Sequence, residues 1–251
     1  MESTPRGKVL IINNEYFNHP EFPNRNGTQA ESRRLFDLFQ NILHFDVRTV
    51  YNCTAEQMHS ELKSFSQDEG LHDVDCCVVA ILSHGGQEDI IYGVDGHKVN
   101  GVPQTGTFIR SSEIQAFFTT GACPAMRNKP KLFIGQFCRG VLEDTLDGIM
   151  HLGSLGCDVV KDNCTPSFAD MFFLYATVSK FVAYRGQFVQ TLCEIISKYA
   201  CSRHIKDMAT LLHSKMAQLE LGRYVTISEE RGTLRKNWFF NPPPTTHVMM
   251  V

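Results

Sequence analysis

The segment Cys76-Cys77-Val78-Val79-Ala80-Ile81-Leu82 constrains the fold of this chain more than any other. Seven apolar residues without alternation leave no polar face, so the segment reads as a β-strand covered on both sides. Strands of that kind belong to parallel sheets held between layers of helices. Residues 9–12, which end in Asn13 and Asn14, have the same character, and so does Lys131–Gln136, KLFIGQ.

Helical patterns lie between these runs. Thr28-Gln29-Ala30-Glu31 has the form of a capping box, and Leu35, Leu38, Phe39 and Ile42 recur behind it at helical spacing. Together they predict a helix over 28–43. Residues 45–51 read as a strand. Thr54-Ala55-Glu56-Gln57 is a second capping box, ahead of an apolar face of Met58, Leu62 and Phe65. Residues 90–94 and 97–99 flank Asp95-Gly96 in the manner of a tight hairpin. A short helix over 112–118, a strand over 172–177, helices over Gln187–Tyr199 and 205–221, and a final strand over 233–240 complete the reading. This alternation predicts one α/β domain with a central, mostly parallel sheet and helices on both faces. Residues 141–166 carry no apolar period and are rich in Gly, Asp, Cys and Asn, which marks a loop or linker.

Composition narrows the function classes. The charges, 24 basic against 27 acidic, form no basic stripe, so nucleic acid is not an expected partner. No stretch approaches the roughly 18 apolar residues of a membrane helix. The nine cysteines are an odd number, and no apolar leader precedes them, so reduced thiols in the cytoplasm are expected. Cys201-Ser202-Arg203-His204 lacks a second ligand pair at zinc spacing, and no metal is expected. Trp238, the single tryptophan, reads as a packing residue.

Two strand ends carry the chemistry. Cys76–Leu82 runs into Ser83-His84-Gly85-Gly86, and Lys131–Gln136 runs into Phe137-Cys138-Arg139-Gly140. Ligands of open parallel sheets bind outside the carboxyl ends of the strands, so His84 and Cys138 are expected on one rim. A thiol needs such a partner, because the thiolate is the nucleophile. Gly85 lacks a Cβ, so the backbone there can approach a substrate closely. Its N–H and that of Cys138 could bind an oxyanion. Taken singly, a His–Gly after a strand also reads as a turn, and a cysteine as a small core residue.

Gln136-Phe137-Cys138-Arg139-Gly140 resembles the active-site pentapeptide of the caspase family, Gln-Ala-Cys-X-Gly, with a histidine about 50 residues upstream. Phe137 stands where that family usually has alanine. The resemblance extends along nearly the whole chain. IINNEYF with Arg25-Asn26-Gly27-Thr28 is similar to the first strand and RxGT loop, SHGGQEDIIYGVDG to the histidine segment, FFLYATVSKFVAYR to the start of the small subunit, and TLRKNWFFNPP to its last strand.

The resemblance implies a cysteine endopeptidase that cuts proteins after aspartate in apoptosis or a related signalling cascade. Cys138 would be the nucleophile, His84 the base, and Gly85 with Cys138 the oxyanion donors. Arg25, Gln136 and Arg185 would line the pocket for the aspartate, where guanidinium groups select a carboxylate. Ala183 and Tyr184 stand where the family has Ser-Trp before that second arginine, and Tyr184 would offer a smaller aromatic face to the next subsite. The loop after Arg185 is several residues shorter than usual, which would reshape that wall of the groove. No cofactor is implied. The expected partners are protein substrates and a second caspase-like chain, in a homodimer or heterodimer joined through the last strand. The division implied is a large-subunit-like region 1–147, a linker 148–165 and a small-subunit-like region 166–251. Asp144-Thr145-Leu146-Asp147-Gly148 resembles a processing site cut after Asp147, although a solvated acidic loop explains these acids equally well. Two other readings stay open: a catalytically weak decoy that regulates an active relative, and a metacaspase-like or gingipain-like peptidase cutting after basic residues. The last would need acidic pocket residues where this chain has arginines.

Overall fold

The computed structural model describes residues 2–142, 166–181, 183, 186–219 and 227–242. In the first third, β1 (Gly7–Asn13), α1 (Thr28–Phe36), β2 (Asp46–Tyr51), α2 (Ala55–Ser66) and β3 (Cys76–Leu82) alternate. Four short strands follow, β4 (Ile90–Tyr92), β5 (Lys98–Val99), β6 (Val102–Pro103) and β7 (Phe108–Arg110), leading into α3 (Ser111–Phe117). The chain re-enters the sheet as β8 (Lys131–Gln136) and leaves it through β9 (Gly140–Leu142). The second part supplies β10 (Met171–Tyr175), β11 (Lys180–Phe181), α4 (Gln187–Tyr199), α5 (Ile205–Ala217) and β12 (Glu229–Gly232).

Among the described residues the main sheet has the order β12-β10-β8-β3-β1-β2. Every neighbouring pair is parallel except β10 with β12. The apolar run of β3 divides between two cores. Cys76, Val78, Ala80 and Leu82 face α1, α4 and α5, while Cys77, Val79 and Ile81 face α2 and α3. Burial on both faces explains why the run shows no alternation. Fully burying each Val, Leu or Ile is worth about 1.5–3 kcal/mol, so this central strand anchors both layers.

Several local expectations are corrected. The helix predicted over 28–43 stops being α-helical at Phe36. Asp37–Ile42 continues as a wider turn, closed by the Leu43 N–H donating to the Leu38 carbonyl at 2.9 Å. The wide turn leaves Leu38 and Phe39 buried, with Phe39 against Phe45. Its N-cap is Gly27, not Thr28, and Glu31 makes no capping box. The second capping box does form, between Thr54 and Gln57.

The hairpin around Asp95-Gly96 does not form. β4 pairs instead with β7, and β5 with β6. Asp95 is engaged elsewhere, since its carboxylate accepts the Ala55 N–H at the start of α2 at 2.9 Å. Asn100-Gly101, both at positive φ, provides the tight turn between β5 and β6.

Among the described residues the last strand is β12, and residues 233–240 are not a strand. Thr233 donates its N–H to Met171, and the Arg235 guanidinium grips Asp170. The chain then runs off the sheet to bury Trp238 and Phe240 against the α4–α5 layer, with the Ile205 N–H donating to the Trp238 carbonyl. Trp238 is therefore a packing residue, as its sequence context suggests. Among the described residues, the edge that the sheet presents on this side is β12. α5 ends at Ala217, short of the predicted 221, whereas Cys76–Leu82, Lys131–Gln136 and Gln187–Tyr199 have the predicted bounds and the other boundaries shift by a residue or two.

Candidate active site

β3 and β8 are hydrogen-bonded neighbours, with Leu82 opposite Gln136. The chain leaves both strands on the same rim, and the Ser83 N–H donates to the Gln136 carbonyl at 3.2 Å. His84 and Cys138 follow directly. Arg25, Ser83, His84, Gln136, Phe137, Cys138 and Ala183 line one cavity of about 70 Å³.

The floor of this cavity is held by buried polar groups. Asn14, fully buried, donates to Ser83 Oγ at 3.2 Å and to the Tyr92 carbonyl at 3.3 Å, and accepts the Cys53 N–H at 2.8 Å. Ser83 Oγ in turn donates to the Tyr92 carbonyl at 2.6 Å. These contacts fix the segment that carries His84. The imidazole lies against Phe17 and Phe22, and its Nε2 is 2.8 Å from the Pro23 carbonyl oxygen. A carbonyl only accepts, so Nε2 carries the proton and Nδ1 is the acceptor nitrogen of the neutral ring.

Cys138 is partly buried, and the Ala183 N–H donates to its sulfur at 3.4 Å. Burial pushes the thiol pKa up, while the Ala183 N–H and the Arg25 charge pull it down less strongly. The resting group is thus a thiol, which needs a base to become a nucleophile. Gly85 is indispensable for a reason other than substrate approach. A Cβ on it would lie 2.1 Å from the Cys138 carbonyl oxygen, so glycine is what lets the two strand-end segments touch.

Arg25 is 3% exposed. Its guanidinium donates to the Asn14 carbonyl at 3.1 Å and the Gln136 carbonyl at 3.3 Å, which fastens the RxGT segment across the ends of β1 and β8. Gln136 is buried at the last position of β8. The structure therefore brings together Arg25, His84, Gly85, Gln136, Cys138 and Ala183. Tyr184, Arg185 and Asp147 lie outside the described residues.

Arg139, next to the nucleophile candidate, has a buried role that its sequence context does not mark. It heads the large, fully buried side chains among the described residues. Asp89 receives Nε at 2.8 Å and Nη2 at 3.0 Å, Glu229 receives Nη1 at 2.8 Å, and the guanidinium stacks 4.0 Å above the Tyr175 ring. Burial opposes its charge, but Asp89 and Glu229 more than offset that and hold its pKa up. Glu229 also accepts the Ser179 N–H at 3.0 Å, so the cluster joins the residue after the nucleophile to β12 and to the chain leading towards Ala183. Asn14 and the Pro23 carbonyl also went unassigned, and no residue pattern marks a carbonyl.

Phe137 fills the second core face. It is 4% exposed, meets Tyr175 edge-on with centroids 6.0 Å apart, and covers Gly135, where a Cβ would lie 2.8 Å from its ring. The replacement of a small residue here is absorbed by packing below the site and leaves the cavity open.

Comparisons with known proteins identify the family. The family model described as Caspase domain matches residues 6–239. Cell death protein 3 of Caenorhabditis remanei is 32% identical over 247 residues, covering 86% of this chain and 45% of that protein. Caspase-8 of Rattus norvegicus is 30% identical over 270 residues, covering 96% and 52%. The chain thus spans about half the length of these curated relatives. The crystal structure of Caspase-1 from Spodoptera frugiperda shares the fold, with a TM-score of 0.81 at 24% identity over 98% of this chain and 93% of the other. The chain belongs to the caspase family.

Proposed function

We propose that this chain is a cysteine endopeptidase that cuts proteins after aspartate. The observation that carries the reading is the meeting of a thiol, an imidazole and a buried guanidinium on one small cavity. His84 Nδ1 removes the proton of Cys138, whose sulfur attacks the scissile carbonyl. The C–N bond then breaks, the amine leaves with the proton from His84, and water hydrolyses the thioester. The Pro23 carbonyl holds the imidazole in the required tautomer and stabilises its protonated form. Gly85 and Cys138 N–H groups serve the oxyanion. Arg25, Gln136 and Arg185 select the aspartate carboxylate, with Ala183 and Tyr184 beside the preceding subsites.

By kinship with cell-death relatives, we assign the activity to apoptosis or a related cascade, with a second caspase-like chain as dimer partner. We assign residues 1–147 to a large-subunit-like region, 148–165 to the linker and 166–251 to a small-subunit-like region, with maturation by a cut after Asp147. Intact-mass measurement after treatment with an active caspase tests that cut, and cleavage elsewhere rejects it.

One observation favours the regulator reading. The Ala183 backbone lies on the Cys138 sulfur at 3.4 Å, and the segment from Phe181 to Gln187 is short. A fluorogenic tetrapeptide panel ending in Asp, Glu, Arg or Ala decides between them, with Cys138→Ala as control. Cleavage after Asp alone supports the peptidase. A folded chain that cuts none of them supports the regulator.

A further inference from the structure

His84 is held from two sides by one loop. The Pro23 carbonyl accepts its Nε2–H at 2.8 Å, and the ring centroids of Phe17 and Phe22 lie 4.6 and 5.3 Å from that of the imidazole. All three residues belong to the segment 14–27, which runs from β1 to α1 with neither strand nor helix. No sheet or helix therefore sets where the Pro23 carbonyl stands, and the loop needs other partners for its backbone groups.

Side chains supply them at three levels. At the base, Asn52 Oδ1 accepts the N–H groups of Glu15 and Tyr16, each at 3.0 Å. Across the neck, Asn24 Oδ1, on the residue after Pro23, accepts the Phe17 N–H at 2.9 Å. At the tip, the Glu21 carboxylate reaches out of the loop. One oxygen accepts the Lys98 N–H of β5 at 3.0 Å, and the other lies 3.7 Å from the Lys98 ammonium. That ammonium in turn sits 5.3 Å from the centre of the Phe22 ring. Neither Glu21 nor Asn24 lines the cavity shared by Cys138 and His84.

We infer that Glu21 and Asn24 are positioning residues for His84. Asn24 closes the loop and Glu21 anchors its tip on β5, and together they place the Pro23 carbonyl that keeps the imidazole proton on Nε2. Nδ1 is thereby left as the base. The consequence for turnover rests on the peptidase reading, whereas the consequence for the ring does not. A general base works only within hydrogen-bond reach of the proton it takes, and a misplacement of about 1 Å can cost roughly 100-fold. Each tether is a single hydrogen bond near the surface, so its loss is expected to cost about two- to tenfold.

The test combines kinetics on the Asp-ending tetrapeptide with nitrogen-15 spectra of the histidine rings, the His84 signals being assigned with His84→Gln. Glu21→Ala and Asn24→Ala are expected to lower kcat by about two- to tenfold with KM unchanged. In the same variants the His84 ring signals move from protonation at Nε2 towards a mixture of the two tautomers. Glu21→Gln and Asn24→Asp keep an acceptor oxygen in place and recover both the rate and the spectrum. Glu21→Asp withdraws the oxygen while keeping the charge, so it follows Glu21→Ala and carries the test if the alanine variants fail to fold. An unchanged ring spectrum or an unchanged kcat in all three shortened variants would overturn the inference, as would a loss carried by KM. A wild-type chain that cuts no aspartyl peptide would instead remove the peptidase reading, and the ring spectra alone would then decide the positioning.

Discussion

Cys138 and Arg139 are adjacent in sequence, yet they anchor regions built on different physics. Below Cys138, the floor is made from the ends of β1, β3 and β8 and tied mostly by neutral hydrogen bonds through Asn14 and Ser83. Arg139 turns to the opposite wall and ties it with ion pairs to Asp89 and Glu229, residues 50 and 90 positions away. The floor is a by-product of sheet register, so it exists wherever the strands pair. The wall exists only while the buried Arg139 and the more exposed Arg231 stay paired with Asp89 and Glu229. The nucleophile sits on the seam between them.

The largest effect expected is on the nucleophile. Cys138→Ala should abolish turnover while leaving the melting temperature essentially unchanged; residual cleavage would move the nucleophile elsewhere. Next is the wall. Arg139→Met leaves the half-buried Asp89 and Glu229 with only the more exposed Arg231 as cation, and should cost less in denaturant unfolding than the about 3–5 kcal/mol of a fully buried pair, together with most of the activity. If that variant stays stable and active, the wall does not depend on its ions. Phe137→Ala brings the pentapeptide closer to the family pattern, yet should destabilise by about 3 kcal/mol, because the ring fills the core beside Tyr175 and Gly135. Equal stability would show that the core closes over the gap.

On the floor, Asn14→Ala strands the Cys53 N–H and the Ser83 contact, at about 1–3 kcal/mol for each group left unsatisfied. Its effect on kcat should exceed its effect on KM, since His84 and not the carboxylate pocket is disturbed. The smallest effect separates the regions by pH. Burial holds the Cys138 thiol up, so its alkylation by iodoacetamide should accelerate with a midpoint above that of a free thiol. A rate already level at neutral pH would mean a thiolate exists before substrate arrives.

The contrast also explains what could be read from the sequence. The floor was legible because uninterrupted apolar strands and the residues directly after them are local patterns. Cys76–Leu82 and Lys131–Gln136 have the expected bounds, and the sheet then forces His84 and Cys138 together. Arg25 reached the site through family resemblance, since no local pattern separates it from a surface arginine. The wall was illegible because its partners are distant and its strands are short. The charges of β12, Glu229–Gly232, hide a strand that residues 233–240 imitate better by composition. Asp95 and Glu31 misled for a related reason. Each has the sequence form of a local turn or cap, and each spends its carboxylate on a backbone N–H far along the chain.

The central claim is that thiol, imidazole and carboxylate pocket form one working site. Its most direct test is covalent labelling with two peptide fluoromethyl ketones that differ only in ending with aspartate or lysine, followed by peptide mapping. The account predicts a single adduct, on Cys138, from the aspartyl reagent alone, and none after Arg25→Ala. Equal labelling by both reagents, or no adduct on a folded chain, would contradict it.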